Sequence, residues 1–385
     1  MVLFKTITTN EEKKVAVWYI ARDKTHHYHT MKSTLFTITS STSRRLTKKL
    51  MTTMGSTTTR GLTGGPPNQG HHHKSNTSPP LDNNDSTDKN DNNDTKDRVI
   101  TTIDATTGIA TVELNRPEKL NALDLPMFYA ISQAAHALRE DTSVRCVVLQ
   151  GRGRAFCTGL DIAGCFGNIT KKSPQAVMRE LLDRPEPDQV DVQVPTNLAQ
   201  DVAYAWRTLP VPVLCAAQGM VFGGGLQIAL GADIRFVTPD CQLSIMETKW
   251  GLIPDMGASV TLRDVVVSQD IAKELTWTGR IITGTQAAQY GLVTHVVDDP
   301  IQAAHGLAQE ICQRSPDAVA AAKELFRKTW TEPDELKCLQ IETKLQKKLL
   351  LNWNQIAATT RTMSKTWHLP YTKRRDGDVT SNPTK

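Results

Sequence analysis

The amino-acid sequence predicts an α/β fold of stacked strand–strand–helix units, followed by a helical C-terminal region and preceded by a long leader. Short apolar runs of strand length alternate with helical patterns between residues 99 and 300. Helical periodicity alone continues from residue 301 to 367. The first 98 residues are rich in Thr, Ser, Asn, Asp and Lys, a composition that buries too little apolar surface to fold. We therefore expect one folded domain in the 385 residues.

Residues 1–81 are predicted to be a transit peptide and disordered leader. They contain 12 Lys and Arg against three acidic residues, and no acidic residue occurs between Met31 and Leu81. A basic, Ser/Thr-rich and acid-free segment is typical of import into an organelle, so a translation start at Met31 is our hypothesis. The C-terminal Ser-Asn-Pro-Thr-Lys is not a peroxisomal signal. This favours the mitochondrial matrix, with a plastid or a peroxisome as the alternatives.

Residues 82–98 are predicted to be a linker, because residues 82–97 hold six Asp and two Lys among Asn, Ser and Thr. This run lacks the central Gly and the closing Glu of a calcium-binding loop. His71 to His73 lie near Pro and Gly without acidic or Cys partners, and we interpret them as low-complexity sequence. The net charge is +5 for the whole sequence, +9 for residues 1–81 and −4 for residues 82–97, so the remaining residues are neutral overall. A neutral domain argues against nucleic-acid binding.

The cysteine and hydropathy patterns argue against two further classes of protein. Seven cysteines are scattered without a C-x-x-C pair, so we expect reduced thiols and no metal site. No apolar run approaches the roughly 20 residues that a membrane-spanning helix needs. We therefore expect no membrane span.

The core elements follow in chain order from alternation and helical spacing. Ile109–Leu114 alternates as a half-buried strand, and Asp124 is a suitable N-cap for the helix after it. Met127, Ile131, Ala134, Ala135 and Leu138 share one face of that helix. Further on, the sequence predicts strands at Cys146–Leu149, Val213–Ala217 and Asp233–Val237, and a helix opened by Gly223-Gly-Gly.

The C-terminal region is predicted to be helical and then disordered. Two helical patterns follow residue 301, and one long amphipathic stretch runs from Asp334 to about Thr366. We expect these helices to pack on a neighbouring subunit. Residues 368–385 are predicted to form a flexible tail.

Five ordered motifs between residues 99 and 330 carry a resemblance to a known family. They are Asn115-Arg-Pro-Glu-Lys-Leu-Asn-Ala-Leu123, Ala155-Phe-Cys-Thr-Gly-Leu-Asp-Ile162, Gly223-Gly-Gly-Leu-Gln-Ile-Ala-Leu-Gly-Ala-Asp-Ile234, Glu247-Thr-Lys-Trp-Gly-Leu-Ile-Pro254 and the segment from Thr278 to Val293. Together they resemble the crotonase (enoyl-CoA hydratase/isomerase) superfamily. The resemblance implies the ClpP/crotonase-like fold and an enzyme that acts on acyl-CoA thioesters.

The resemblance also implies how the thioester is bound. The family holds the thioester oxygen between two backbone N–H donors, which fall here on Leu160 and Gly224. Such an oxyanion hole stabilises an enolate by several kcal/mol. By the same resemblance, Thr158, Asp161, Ile162 and Gly223 line the CoA entry, and Lys119 and Leu120 lie where the adenosine end binds. Lys119 is equally consistent with a solvated loop lysine.

The residues at the two carboxylate positions of the family favour isomerisation over hydration. Hydratases of the family use one Glu two residues after the Gly triplet and another 20 residues later. Here the first position is Gln227 and the second is Glu247. An amide cannot exchange a proton as a carboxylate does. A single carboxylate is compatible with a Δ3-Δ2-enoyl-CoA isomerase.

Asp255 adds a second candidate. An acidic residue eight positions after the catalytic Glu resembles Δ3,5-Δ2,4-dienoyl-CoA isomerases, although that family also has Asp where this chain has Gln227. Asp before a helix is also a common N-cap, so catalytic and capping roles for Asp255 stay open.

We therefore expect an enoyl-CoA hydratase/isomerase family enzyme that isomerises double bonds in fatty acid β-oxidation, with 2-enoyl-CoA hydratase as the alternative. A non-catalytic acyl-CoA-binding or RNA-binding protein is the alternative of another class, the latter suggested by Lys344, Lys347 and Lys348. The resemblance implies a homotrimer or homohexamer and no cofactor, because CoA arrives as part of the substrate. It also places an acyl-pocket helix in residues 164–205, where the charged stretch 184–196 predicts a long loop.

Overall fold

The computed structural model describes six stretches of the chain, namely residues 3–9, 12–18, 98–166, 173–184, 196–364 and 368–375. For the first two stretches it describes the backbone alone. The proposed start at Met31, His71 to His73 and the acidic run of the linker lie outside the described residues. So do residues 185–195 of the predicted loop and residues 376–385 of the predicted tail.

Two strands lie within the leader, where the composition predicted none. Strand β1 (Leu3–Thr9) pairs antiparallel with β2 (Glu12–Trp18), with Leu3 opposite Trp18 and Thr9 opposite Glu12. Both segments are rich in β-branched residues, which favour extended backbone. The prediction of a disordered leader is therefore wrong for these 14 residues. It rested on the average composition of the leader and gave no weight to the local β-propensity of these two segments.

A six-stranded sheet forms the centre of the domain. Its strands are β3 (Val99–Ile103), β4 (Ile109–Leu114), β5 (Cys146–Gly151), β6 (Val213–Ala217), β8 (Ile234–Val237) and β11 (His295–Val296). They lie in the order β11-β8-β6-β5-β4-β3, and only the β3–β4 pair is antiparallel. The central strands β5 and β6 are almost entirely buried, as their nearly continuous apolar sequences predict.

A three-stranded sheet carries the second strand of successive units. It contains β7 (Met220–Phe222), β9 (Gln242–Ser244) and β10 (Ile282–Thr283) in the order β10-β9-β7. Strands β6 and β8 lie in the large sheet, whereas β7 and β9, which follow them, lie in this small sheet. The repeated pattern confirms the predicted strand–strand–helix units.

Helices of the first half cover one face of the large sheet. They are α1 (Leu125–Glu140), α2 (Ile162–Phe166), α3 (Pro174–Leu182), α4 (Leu198–Thr208) and α5 (Gly224–Gly231). The predicted N-cap of α1 is confirmed, since Asp124 Oδ1 accepts a hydrogen bond from the N–H of Met127 at 3.0 Å. The predicted apolar face of α1 lies in the main core, which these helices share with the sheet.

The second half adds α6 (Ala258–Val265), α7 (Gln269–Thr278), α8 (Gly284–Gln289), α9 (Pro300–Cys312), α10 (Pro316–Thr329), α11 (Glu335–Leu349) and α12 (Trp353–Met363). Helix α9 packs on the other face of the large sheet, where Ala304 and Ala308 belong to one buried apolar cluster with Val148 and Leu214. The domain therefore has helices on both faces of the sheet.

The long helix predicted from Asp334 to Thr366 is two helices. Leu351 has φ 63°, a left-handed conformation that interrupts a right-handed α-helix. Asn352, the next residue, is the N-cap of α12. The prediction missed the break because the apolar spacing continues through it.

Residues 368–375, predicted as part of a flexible tail, are bound to the domain. The N–H of Thr372 donates to Asn354 Oδ1 at 2.9 Å, and that of Arg375 donates to Asp317 Oδ1 at 2.9 Å. The Tyr371 ring lies 4.5 Å from the Arg361 guanidinium. This part of the tail prediction is wrong, because the partners that fix the segment come from helices distant in sequence.

Candidate active site

The glycine triplet forms the turn from β7 into α5. Gly223 is the N-cap of α5 and has φ +50°, and Gly224 is the first helical residue. The N–H of a first helical residue has no intrahelical acceptor, and the helix dipole makes this end favourable for negative charge. A Cβ on Gly159 would lie 3.3 Å from the Gly224 nitrogen. Gly224 therefore offers a backbone donor directly beside the second motif.

Leu160 lies next to this donor. A parallel bridge joins Leu123 and Leu160, in which the N–H of Leu123 donates to Gly159 O and that of Asp161 donates to Leu123 O. Because alternate N–H groups of an extended segment point in opposite directions, the N–H of Leu160 points away from Leu123. Two backbone donors predicted for the oxyanion hole thus belong to adjacent segments.

Glu247 lies beneath the same turn. It opens a short 3₁₀ helix, Glu247–Trp250, directly after β9, and only 9% of its surface is exposed. A Cβ on Gly223 would lie 3.4 Å from Glu247 Oε1. Among the described residues, Oε2 is a buried oxygen with no hydrogen-bond partner. An orphaned carboxylate oxygen beside the backbone donors is available to a substrate.

Gln227 occupies the space between α5 and the Glu247 segment. Its Nε2 donates to Glu247 Oε1 at 2.6 Å, and its Oε1 accepts from the N–H of Met256 at 2.8 Å. The side chain is buried, with 2% of the residue exposed. Gln227 therefore connects Glu247 to the segment that carries Asp255.

Asp255 does not cap a helix. The N-cap of α6 is Gly257, two residues later, so the capping interpretation is wrong. Asp255 is exposed in the single chain, yet protein atoms packed around its carboxyl raise its pKa by desolvation. Burial also raises the pKa of Glu247, the Gln227 hydrogen bond lowers it, and the charge of Asp255 raises it again. The charge of Asp255 therefore acts on the protonation of Glu247.

Most of the residues predicted to bind CoA form a second group, whereas Gly223 lies at the α5 turn beside Glu247. Lys119 ends an exposed 3₁₀ turn, and Leu120, with φ 54°, accepts through its carbonyl the N–H of Thr158 at 3.2 Å. Ile162 begins α2 and is exposed. Among the described hydrogen bonds, none joins Lys119, Leu120, Thr158 or Ile162 to Glu247.

Asp161 has a structural role that the sequence analysis did not assign. Its Oδ2 pairs with the Arg116 guanidinium at 2.7 Å, and its Oδ1 accepts from the N–H of Gly164 at 2.8 Å. Burial acts to raise the pKa of Asp161, but the Gly164 and Arg116 bonds dominate and lower it. Asp161 therefore connects Arg116 of the first motif to the first turn of α2.

Two other residues near the site were missed from the sequence. The backbone N–H of Met256 holds Gln227, and its Sδ would lie 2.8 Å from a Cβ on Gly224. Asn121 is fully buried and bonds the carbonyls of Arg152 and Ala155. Asn121 could have been found because it is part of the first motif. Met256 could not, because it acts through its backbone N–H, which does not depend on the identity of its side chain.

The described residues contain neither a group of three His, Cys, Asp or Glu side chains placed for a metal ion nor a helix long and apolar enough to cross a membrane. Lys344, Lys347 and Lys348 lie exposed on α11.

Stacked strand–strand–helix units, paired backbone donors and a buried carboxyl define an enzyme class that handles developing negative charge on a carbonyl oxygen. The family model described as enoyl-CoA hydratase/isomerase matches residues 109–367. The chain belongs to the enoyl-CoA hydratase/isomerase family, which the five motifs predicted, and its fold is the crotonase fold.

Relatives within the family differ in reaction. The chain is 31% identical over 243 residues to the enoyl-CoA hydratase EchA19 of Mycobacterium tuberculosis, covering 63% of this chain and 85% of the relative. It is 29% identical over 221 residues to the mitochondrial Δ(3,5)-Δ(2,4)-dienoyl-CoA isomerase of Mus musculus, covering 55% and 63%. A crystal structure of an enoyl-CoA hydratase/isomerase from Mycobacterium abscessus matches with TM-score 0.62 at 28% identity, covering 72% of this chain and 100% of that one.

Proposed function

We propose that the protein is an acyl-CoA double-bond isomerase, with the Δ3,5-Δ2,4-dienoyl type ahead of the Δ3-Δ2-enoyl type. One observation carries the proposal. Glu247 is the buried carboxyl of the site, its Oε2 is unpartnered, and its neighbour at the other carboxylate position is an amide. Glu247 alone suffices for the Δ3-Δ2 shift, and Asp255, whose charge acts on Glu247, supplies the second carboxyl of the dienoyl reaction. Hydration in this family instead uses a carboxylate at the position of Gln227.

In the proposed dienoyl reaction, Asp255 removes a proton from C2 of a 3,5-dienoyl thioester. The electron pair moves to the thioester oxygen, where the N–H groups of Leu160 and Gly224 stabilise the enolate. Glu247 then delivers a proton to C6, and the double bonds come to lie at C2 and C4. The proton transfer uses carboxyl groups and backbone donors, so the proposal includes no metal or redox cofactor, and CoA is part of the substrate.

The pH dependence of the rate separates the two isomerase types. In the dienoyl reaction Asp255 starts ionised and Glu247 starts protonated, so the rate is expected to fall on both sides of an optimum. In the monoenoyl reaction Glu247 starts ionised, and the rate falls only as pH drops through its raised pKa. The raised pKa of Glu247 keeps the carboxyl protonated at higher pH than an exposed glutamate.

The test offers 3,5-dienoyl-CoA, 3-enoyl-CoA and 2-enoyl-CoA separately to the purified protein and follows ultraviolet absorbance. We expect growth of the conjugated 2,4-dienoyl chromophore. Rapid loss of the 2-enoyl chromophore, with the dienoyl substrate untouched, would instead establish the hydratase alternative.

Two substitutions assign the carboxyl groups. Glu247→Gln should lower kcat by about 10²–10⁴-fold, the usual contribution of general acid–base catalysis. Asp255→Asn should do the same for the dienoyl substrate and leave the 3-enoyl substrate less affected. Glu310→Gln, an exposed change on α9, is the matched control and should leave kcat unchanged.

We further propose that the protein assembles as a homotrimer or homohexamer and is imported into the mitochondrial matrix. Large apolar side chains stay exposed on the C-terminal helices of the single chain, among them Phe326, Trp330, Leu336, Leu339 and Trp353. Light scattering of the purified protein gives its mass in solution. Microscopy of residues 1–98 fused to a fluorescent protein distinguishes a mitochondrion from a plastid, a peroxisome or the cytosol.

A further inference from the structure

The Gln227 amide has a fixed orientation. A backbone N–H can only donate, so the N–H of Met256, 2.8 Å away, must face the carbonyl oxygen of the amide. The Nε2 end is thereby turned to Glu247 Oε1, 2.6 Å away. Reversing the amide would place two donors against each other at Met256 and two acceptors against each other at Glu247. Gln227 can therefore serve Glu247 only as a donor.

This orientation selects one oxygen of the Glu247 carboxyl. Oε1 is occupied by the Gln227 amide, whereas Oε2 is buried and unpartnered. The two oxygens are chemically equivalent, so a half-turn of the carboxyl restores the same arrangement, whereas intermediate angles lose the Gln227 bond inside a buried site. The transferred proton is therefore carried at the Oε2 position, which Gln227 does not occupy.

Gln227 also connects three segments that must act together. Its backbone belongs to α5, whose first residue is Gly224. Its side chain bonds Glu247 after β9 and Met256 next to Asp255. One buried side chain therefore sets the distances between an oxyanion donor and both carboxyl groups.

We propose that Gln227 is a positioning residue for proton transfer, which keeps Glu247 Oε2 as the transferring oxygen and holds the Asp255 segment in register with it. The inference deepens the proposed isomerase function and rests on it for the reaction, but its hydrogen bonds are testable without turnover. The proposed function used Gln227 only as the position where a second carboxylate is missing, whereas this inference gives the amide a role of its own.

The first measurement compares Gln227→Met with the wild-type protein. Methionine has similar volume but neither hydrogen bond, so Glu247 loses a donor that lowers its pKa. The limb of the kcat/KM pH profile that belongs to Glu247 should move to higher pH, and Asp255 is the charged group that also acts on this titration. We expect kcat to fall about 10²-fold, the usual cost of a small misplacement, with a smaller change in KM. Gln302→Met, an exposed substitution on α9, is the control.

Gln227→Glu tests the donor role by partial rescue. A protonated glutamic acid still accepts from Met256 and donates to Glu247, whereas an ionised one cannot donate and repels Glu247. The ratio of variant to wild-type activity should therefore approach one at low pH and decline as pH rises. A merely structural role predicts no such dependence on pH.

An activity-free readout separates this inference from the proposed function. Infrared difference spectroscopy follows the Glu247 carboxyl band, assigned by its loss in Glu247→Gln. If no thioester is turned over, the isomerase proposal fails, yet the band should still titrate at higher pH in Gln227→Met than in the wild type. Titration at the same pH in both proteins would overturn the positioning role of Gln227.

Discussion

Two regions of the domain are held together in different ways. Around the candidate site, backbone segments touch each other with no room for a side chain. A Cβ on Gly225 would lie 2.3 Å from Cys157 O, and one on Gly231 would lie 2.1 Å from Ala203 O. The position of α5, and with it the Gly224 donor, is therefore set by direct contact with the backbones of Cys157 and of α4.

Polar side chains attach α10 to the rest of the domain and to α12. Lys323 on α10 is buried and bonds Asp233 Oδ2 at 2.7 Å and the carbonyls of Trp206 and Val211 at 3.1 and 2.9 Å. Asp317 accepts from Asn354 Nδ2 at 2.9 Å and from the N–H of Arg375. The difference shows that the site depends on excluded volume, whereas the attachment of α10 and α12 also depends on individual polar contacts.

Removal of one such contact should have the largest effect on stability. Lys323→Met removes the ion pair with Asp233, whose side chain is 33% exposed, and two hydrogen bonds from the ammonium to backbone carbonyls. Because a hydrogen bond to a charged group contributes about 1.5–3 kcal/mol, the unfolding free energy should fall by roughly 3 kcal/mol. Urea denaturation measures the loss. Lys328→Met, which removes an exposed pair with Glu324 on the same helix, should cost less than about 0.5 kcal/mol. Equal losses in the two variants would contradict the assignment of polar anchoring.

Added volume at the site should have the next largest effect. Gly225→Ala forces α5 away from the Cys157 backbone, and overpacking of this kind costs about 1–3 kcal/mol. Because Gly224 moves with the helix, kcat should fall as well. Denaturation measures the loss of stability, and the isomerase assay on the same preparation measures the fall in kcat. If stability and kcat both stay at wild-type levels, α5 is not held by this contact.

The same substitution in the helical region should have the opposite sign. A Cβ on Gly306 of α9 meets nothing within 4 Å, so Gly306→Ala should raise the unfolding free energy by roughly 0.5–1 kcal/mol through helix propensity. Thermal unfolding measures the gain, and kcat should not change. A loss of stability would mean that this face of α9 is covered in the assembled protein.

A smaller, pH-dependent effect is expected where α1 meets α4. His136 Nε2 lies 2.9 Å from Asp201 Oδ2, and its hydrogen bond to Asp201 raises the pKa of His136. A group whose pKa is raised on folding stabilises below its unfolded pKa and loses that stabilisation as pH rises through its folded pKa. His136→Gln should therefore lower stability more at about pH 5.5 than at about pH 9. Denaturation at the two pH values checks the sign, and an equal loss at both would exclude a charged His136.

The strands and the first helix followed from local sequence. The strands Ile109–Leu114 and Val213–Ala217 have the predicted bounds, and Asp124 caps α1, because alternation, apolar runs and capping act within a few residues. The break at Leu351 and the binding of residues 368–375 did not follow. Their causes are a left-handed backbone and partners on distant helices.

The sequence by itself determined the family, the pairing of Gln227 with Glu247 by their spacing, and the glycines of the turn, since residue identity and short spacing carry these. Tertiary structure alone decided that Asp255 is no helix cap and that Asp161 is held by Arg116. It also decided which end of the Gln227 amide faces Glu247. The physical reason is that a hydrogen bond depends on the position and direction of both partners, and chain segments far apart in sequence supply them.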